Sequence, residues 1–149
     1  MWKPPAVDIT DLIMNDHQRQ RATFALLDTV DRDDLRALAA IWRSLEVQLE
    51  VHAQIEEQVF YPLLLTEVPG EQDETEDAIR DHNGIRDGIR AARAAAVGSP
   101  QWWDGVNAAR RENDEHMGEE EQGPLADFRR NRTAAERERL AVQFGTLEA

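Results

Sequence analysis

The chain has 149 residues, enough for a single core that buries roughly two thirds of the unfolded surface, and no second domain is expected. Its 30 acidic residues outnumber 17 basic ones, for a formal charge of −13, so its surface repels nucleic acid and anionic lipid, and neither is an expected partner. With no cysteine there is no disulfide framework, thiolate-bound zinc, iron–sulfur cluster or cysteine nucleophile, and any metal must take nitrogen and oxygen ligands.

The charges alternate with regularly spaced Leu, Ile, Trp and Phe, which marks a folded chain rather than a disordered one. A first helix is predicted to start near Asp8 or Thr10, with Ile9, Ile13, His17, Phe24 and Leu27 on one stripe. The acidic turn Asp31 to Asp34 caps a second helix that runs to about Leu64, its last turn bent by Pro62. Here Leu38, Trp42, Leu45, Leu49, His52, Glu56, Val59 and Leu63 step by four and three, the spacing of a packed seam. The tryptophans, Trp42 here and Trp102 and Trp103 later, are read as packing.

Pro69-Gly70 marks a turn, and a third helix is expected from about Glu74 to Ala96 with Ile79, His82, Ile85, Ile89 and Ala92 inward. Gly84 and Gly88 weaken it intrinsically. Gly98-Ser99-Pro100 supplies a stop, an N-cap and a first-turn proline for a fourth helix, which Gly123-Pro124 ends. Along it Trp102, Val106, Ala109, Asn113, His116 and Glu120 again form a seam. Thr133 to Glu136 reads as a capping box for a short C-terminal helix over about 133–144, closed by Gly145 and lying across the end of the others. No segment approaches the roughly 20 apolar residues of a membrane span and no signal-peptide pattern opens the chain, so a cytoplasmic location is expected.

The four histidines fall one to each long helix, all on inward positions. His17 and His52 are 35 residues apart, His82 and His116 are 34 apart, and both His52 and His116 have a glutamate four residues later, Glu56 and Glu120. The two copies are offset by 65 residues at the lone histidine and by 64 at the HxxxE pair, which points to two helical hairpins related by an approximate two-fold axis. Residues four apart on a helix project the same way, so each pair offers a nitrogen and an oxygen to one cavity that His17 and His82 complete. Four imidazoles and two carboxylates are too many for one tetrahedral zinc and suit two ions. Asn113, three residues before His116, either orients a ligand histidine or faces a solvent-filled end.

These strings together resemble the hemerythrin-like family, the HHE cation-binding domain, over about Asp8 to Phe128: Asn15-Asp16-His17, His52 through Glu56-Glu57 to Phe60-Tyr61-Pro62, Asp81-His82, and His116 through Glu119-Glu120-Glu121. The resemblance implies an all-α fold, an up-down-up-down four-helix bundle over about 8–128 with a short extra C-terminal helix. It also implies two iron ions, oxo- or hydroxo-bridged, held by His17, His52, Glu56, His82, His116 and Glu120. The ligand classes that the resemblance implies are dioxygen, peroxide and nitric oxide. Imidazole and carboxylate donors also accept manganese or zinc.

One departure stands out. Oxygen-carrying hemerythrins have two histidines four apart on the third helix, whereas Ala78 and Arg86 flank His82 at that distance. The missing imidazole argues against simple reversible oxygen carriage and leaves Tyr61, Glu57, Glu119 and Glu121 as candidate substitutes or supporting groups. Tyr61, nine residues beyond His52, points away on a straight helix, with Pro62 able to alter that. The three glutamates read chiefly as exposed surface residues. The leading expectation is a di-iron protein that binds a small oxygen or nitrogen species. A di-iron enzyme that removes peroxide or oxidises a small substrate comes second, and an iron or redox sensor third.

Overall fold

The computed structural model describes residues 7–67 and 72–149, and every regular element among them is helical. The predicted turn at Pro69-Gly70 lies outside the described residues. Among the described residues no helix is long and apolar enough to cross a membrane.

Helix α1 spans Ile9–Thr29 and starts where Asp8 accepts hydrogen bonds from the Thr10 backbone N–H at 2.8 Å and from its hydroxyl at 2.7 Å. Its buried stripe runs Ile9, Ile13, His17, Gln20, Phe24, Leu27. Helix α2, Leu35–Ile55, is capped by Asp34, which accepts from the Ala37 N–H at 3.1 Å, and buries Leu38, Trp42, Leu45, Leu49 and His52.

Beyond Ile55 the expected uniform helix gives way to one wide turn, the π-helix Glu56–Phe60, followed by α3, Tyr61–Glu67. The Tyr61 N–H reaches back five residues to the Glu56 carbonyl. Pro62 supplies the physical reason, because it has no N–H to close an α turn and its ring crowds the carbonyl four residues earlier, which a wider turn relieves. The extra residue shifts the register by one. Val59 and Leu63, predicted inward, are half-buried, and Phe60, Tyr61 and Leu64 take the core positions.

Helix α4 covers Gln72–Arg93 and buries Ala78, His82, Ile85, Ile89 and Ala92. Ile79 was expected among them and is 38% exposed. The seam steps back from His82 by four rather than three, so the small Ala78 faces in and Ile79 sits on the rim. Helix α5, Pro100–Gln122, begins at the Ser99 cap, after Gly98 adopts φ +80°, and ends at Gly123. It packs backbone-close on α4: a Cβ at Gly88 would lie 2.6 Å from the Ala109 nitrogen, and one at Gly105 would lie 2.5 Å from the Ala92 nitrogen.

The chain then forms a helix that was not predicted, α6, Pro124–Asn131, which buries Leu125 and Phe128. Pro124 ends α5 and starts the next helix, where its missing N–H costs nothing. Helix α7 runs Ala134–Glu148 from the Thr133 cap and passes straight through Gly145, which stays out of the left-handed conformation a helix stop requires. It lies lengthwise along α1 rather than across an end: Arg137 Nε donates to Asp8 at 2.6 Å near its start, and Glu148 meets Asp16 and Arg19 near its finish.

Two apolar clusters result. One gathers Phe24, Leu27, Leu38, Trp42, Leu45, Ile85, Ile89, Trp102 and Val106; the other gathers Ile9, Ile13, Ile55, Phe60, Tyr61, Leu64, Leu125, Phe128 and Phe144. On each of α1, α2 and α4 the histidine falls between the two, as does His116 between the α5 members of the first and the α6 members of the second.

Candidate metal centre

All six residues singled out by the repeat meet in the layer between those clusters, each at most 5% exposed. His17 and His52 face one another with ring centroids 5.2 Å apart, and His82 and His116 do so at 4.5 Å. Glu56 Oε1 stands between the pairs, 2.8 Å from His52 Nε2 and 3.5 Å from His82 Nε2. Glu120 spans them with its two oxygens, Oε1 lying 3.3 Å from His17 Nε2 and Oε2 lying 3.2 Å from His116 Nε2. One ligand atom from each of His17, His52, Glu56 and Glu120 lies within 4.8 Å of the others, and the same holds for Glu56, His82 and His116. Glu56 belongs to both groups.

The Nε2 atoms turn inward because the opposite ring nitrogens are held from outside by carboxylates. His52 Nδ1 bonds Asp16 at 2.7 Å, His17 Nδ1 bonds Glu121 at 3.1 Å, His82 Nδ1 bonds Glu57 at 3.0 Å, and Asp81 approaches His116 Nδ1 to 3.6 Å. Arg21 and Arg86 in turn bind Glu121 at 2.7 Å and Glu57 at 3.0 Å. A carboxylate at Nδ1 fixes the ring and, in the neutral imidazole that binds a metal, selects the tautomer that leaves Nε2 bare.

This outer shell repeats like the inner one. Asp16 and Asp81 are offset by 65 residues, as are Arg21 and Arg86, and Glu57 and Glu121 by 64. Sequence reasoning treated Glu57 and Glu121 chiefly as surface residues and gave Asp16 and Asp81 no role. The signal was available in those offsets. Glu119 is exposed, and Asn113, though buried, donates to Gln20 Oε1 at 3.1 Å rather than to a site histidine.

Of the candidate supporting groups, Tyr61 is the one whose orientation the structure decides. The wide turn brings it back over Glu56, and its phenol donates to Glu120 Oε2 at 2.7 Å, with His82 Nε2 and His116 Nε2 at 3.2 and 3.3 Å. A residue nine positions on would stand roughly half a turn away on a regular α-helix. The position matching Tyr61 in the second copy is Leu125, so only the His82/His116 side carries a phenol. The other side is closed by α7, whose Phe144 ring lies 5.9 Å from His52.

Electrostatics and satisfaction both indicate room for cations. Burial opposes charge on His52, yet Glu56 and Asp16 hold its pKa up at about 10. Burial likewise opposes charge on His116, and Glu120 and Asp81 raise it well above the ordinary value. Glu56 would be raised by burial, but His52 opposite holds it well below the carboxylate range. Tyr61 is pushed well above its usual value by burial and by Glu120 and Glu56, so it keeps its proton. Even so, His17 Nε2, His52 Nε2, Glu120 Oε1 and both Glu56 oxygens have no hydrogen-bond partner. His52 Nε2 and Glu56 Oε1 meet at 2.8 Å as an ion pair. Buried carboxylate oxygens without a hydrogen bond are costly even beside a cationic imidazole, and these atoms are nitrogen and oxygen donors suited to a borderline or hard metal ion. The residues fit a metal centre.

Residues 8–126 match the family model of the hemerythrin HHE cation binding domain. No curated protein and no solved structure matches the chain.

Proposed function

As the chain belongs to the hemerythrin HHE cation-binding family, we propose that it holds two iron ions through His17, His52, Glu56, His82, His116 and Glu120 and binds dioxygen, peroxide or nitric oxide beside them. The observation that carries this reading is the set of orphaned Nε2 and carboxylate atoms, arranged as two groups that share Glu56. The two apolar clusters alternate before and after the histidines along α1, α2, α4 and the α5–α6 run, which supports an up-down-up-down bundle with α7 added at its side.

When bound, the irons supply Lewis acidity and electrons to a small ligand. The protein residues do the rest. Glu56 and Glu120 offset the cation charge from opposite helices, and Asp16, Glu57, Glu121 and Asp81 hold the imidazoles in their donating orientation. Tyr61 presents a protonated phenol on the His82/His116 side.

That phenol favours a second reading, peroxide removal, because disproportionation to water and dioxygen needs no outside reductant but does need a group that holds and passes a proton. Ala78 and Arg86 supply no further imidazole, and Arg86 is engaged with Glu57.

The test is iron per chain and the optical spectrum of protein produced with iron, then exposed to air and, separately, to peroxide. Two irons with near-ultraviolet charge-transfer bands are expected. A stable adduct supports binding, and rapid peroxide loss supports catalysis. No stoichiometric metal, or a single zinc, overturns the di-iron reading.

A further inference from the structure

A cavity of about 410 Å³ opens between α4 and α5, with Asp77, Ala78, Asp81, His116, Glu119 and Glu120 in its wall. Its inner end is His116 and Glu120, both 3% exposed, where Glu120 Oε2 lies 3.2 Å from His116 Nε2. Its outer end is acidic, and among the described residues no Lys or Arg lines it. Arg80 pairs with Asp77 at 3.0 Å, but the pair is exposed and solvent-screened, so Asp77 still contributes its carboxylate at the opening beside Asp81 and Glu119. The Ala78 methyl, one turn before His82, leaves the interior open.

A second cavity that reaches a site histidine also carries carboxylates, Asp16 and Glu148, but is smaller and has a cationic side chain. It measures about 210 Å³, Arg19 stands in its wall, and the bond from His52 to Asp16 closes its floor.

We propose that the α4/α5 cleft is the route by which the divalent cation enters the centre, with Asp77, Asp81 and Glu119 gathering it at the mouth and Ala78 keeping the passage clear. The proposal rests on the metal-centre reading above. A low-dielectric cleft lined by one sign of charge concentrates counter-ions and speeds their capture. Carboxylates along the way replace water lost from the ion before Glu120 and His116 are reached. Uncharged dioxygen, hydrogen peroxide and nitric oxide pass the same mouth, and anions are opposed.

The test mixes chelator-stripped protein with ferrous ion under nitrogen in a stopped-flow instrument, follows tryptophan fluorescence, and counts iron per chain after desalting. Asp77→Asn with Glu119→Gln touches no proposed ligand and should slow uptake by about five- to tenfold at low salt, a difference that shrinks in ~1 M salt. Final iron content should equal that of the parent. Ala78→Leu should slow uptake at every salt concentration. Asp87→Asn with Glu138→Gln, which removes the same charge elsewhere, should load at the parent rate. Unchanged uptake in the mouth variant, equal slowing in the control pair, or a lower final iron content in the mouth variant overturns the route alone. No uptake by the parent protein overturns the centre and the route together.

Discussion

The Tyr61 phenol donates a 2.7 Å hydrogen bond to Glu120 Oε2, joining the end of the second long helical segment to the fourth across the centre. It does so because the turn before it is one residue wider than an α-helix allows.

Tyr61→Phe keeps the ring in its contacts with Phe60 and His82 and removes the donor. The metal-free variant should lose about 1–3 kcal/mol, read from urea unfolding, since a buried carboxylate oxygen loses its partner. Iron content should stay at the parent value. If the phenol passes a proton to peroxide, the rate of peroxide loss falls with it; an unaltered rate makes Tyr61 a packing and hydrogen-bonding residue only.

Metal should stabilise the fold, because it satisfies atoms that are otherwise buried without partners. Chelation of the loaded protein should lower its melting temperature, the gain from metal being about 2.7 kcal/mol when free ion exceeds the dissociation constant a hundredfold. His52→Ala and Glu56→Ala should each reduce bound iron and abolish most of that gain, whereas Glu138→Gln should change neither. Calorimetry with metal analysis of each variant decides it, and full loading of the first two would remove them from the ligand set.

The acid limb of stability should depend on the outer carboxylates. Hydrogen bonds from His82 and Arg86 hold Glu57 at about 2, and those from His17 and Arg21 do the same for Glu121, against an ordinary value of 4.5. A carboxyl lowered on folding contributes stability that is present above its unfolded pKa and lost as pH falls through the folded one. Metal-free protein should therefore weaken between about pH 4.5 and 2. The double variant Glu57→Gln with Glu121→Gln should start less stable and show a flatter profile over that range in melting temperature against pH. An equally steep profile would exclude these two groups as its cause.

Gly88→Ala and Gly105→Ala should each destabilise, by about 1–3 kcal/mol, because the added methyl meets backbone atoms of the facing helix at 2.6 and 2.5 Å. Gly118→Ala meets nothing within 4 Å inside the same α5 helix and should stabilise by roughly 0.5–1 kcal/mol. Denaturant midpoints separate the two signs, and a neutral Gly88→Ala would show that α4 and α5 part easily.

Much of this was legible in the sequence, because helical periodicity, caps and a repeated His and HxxxE spacing are local properties. Asp8, Asp34, Ser99 and Thr133 cap the helices they announce, and all six repeat residues face one buried layer. What only the tertiary structure decided depends on register and partners. A regular period of 3.6 residues turns Tyr61 away, and although Pro62 marks where that period can break, only the packed chain shows one turn widening and swinging Tyr61 into the centre. The pairing of Asp16 with His52 and of Glu121 with His17 joins residues 36 and 104 positions apart, so their acidic side chains looked like any exposed helix face until the helices were packed. The exposure of Ile79, the lengthwise course of α7 and the cleft beside Ala78 likewise follow from which neighbours meet each face, information that residue spacing along one helix does not contain.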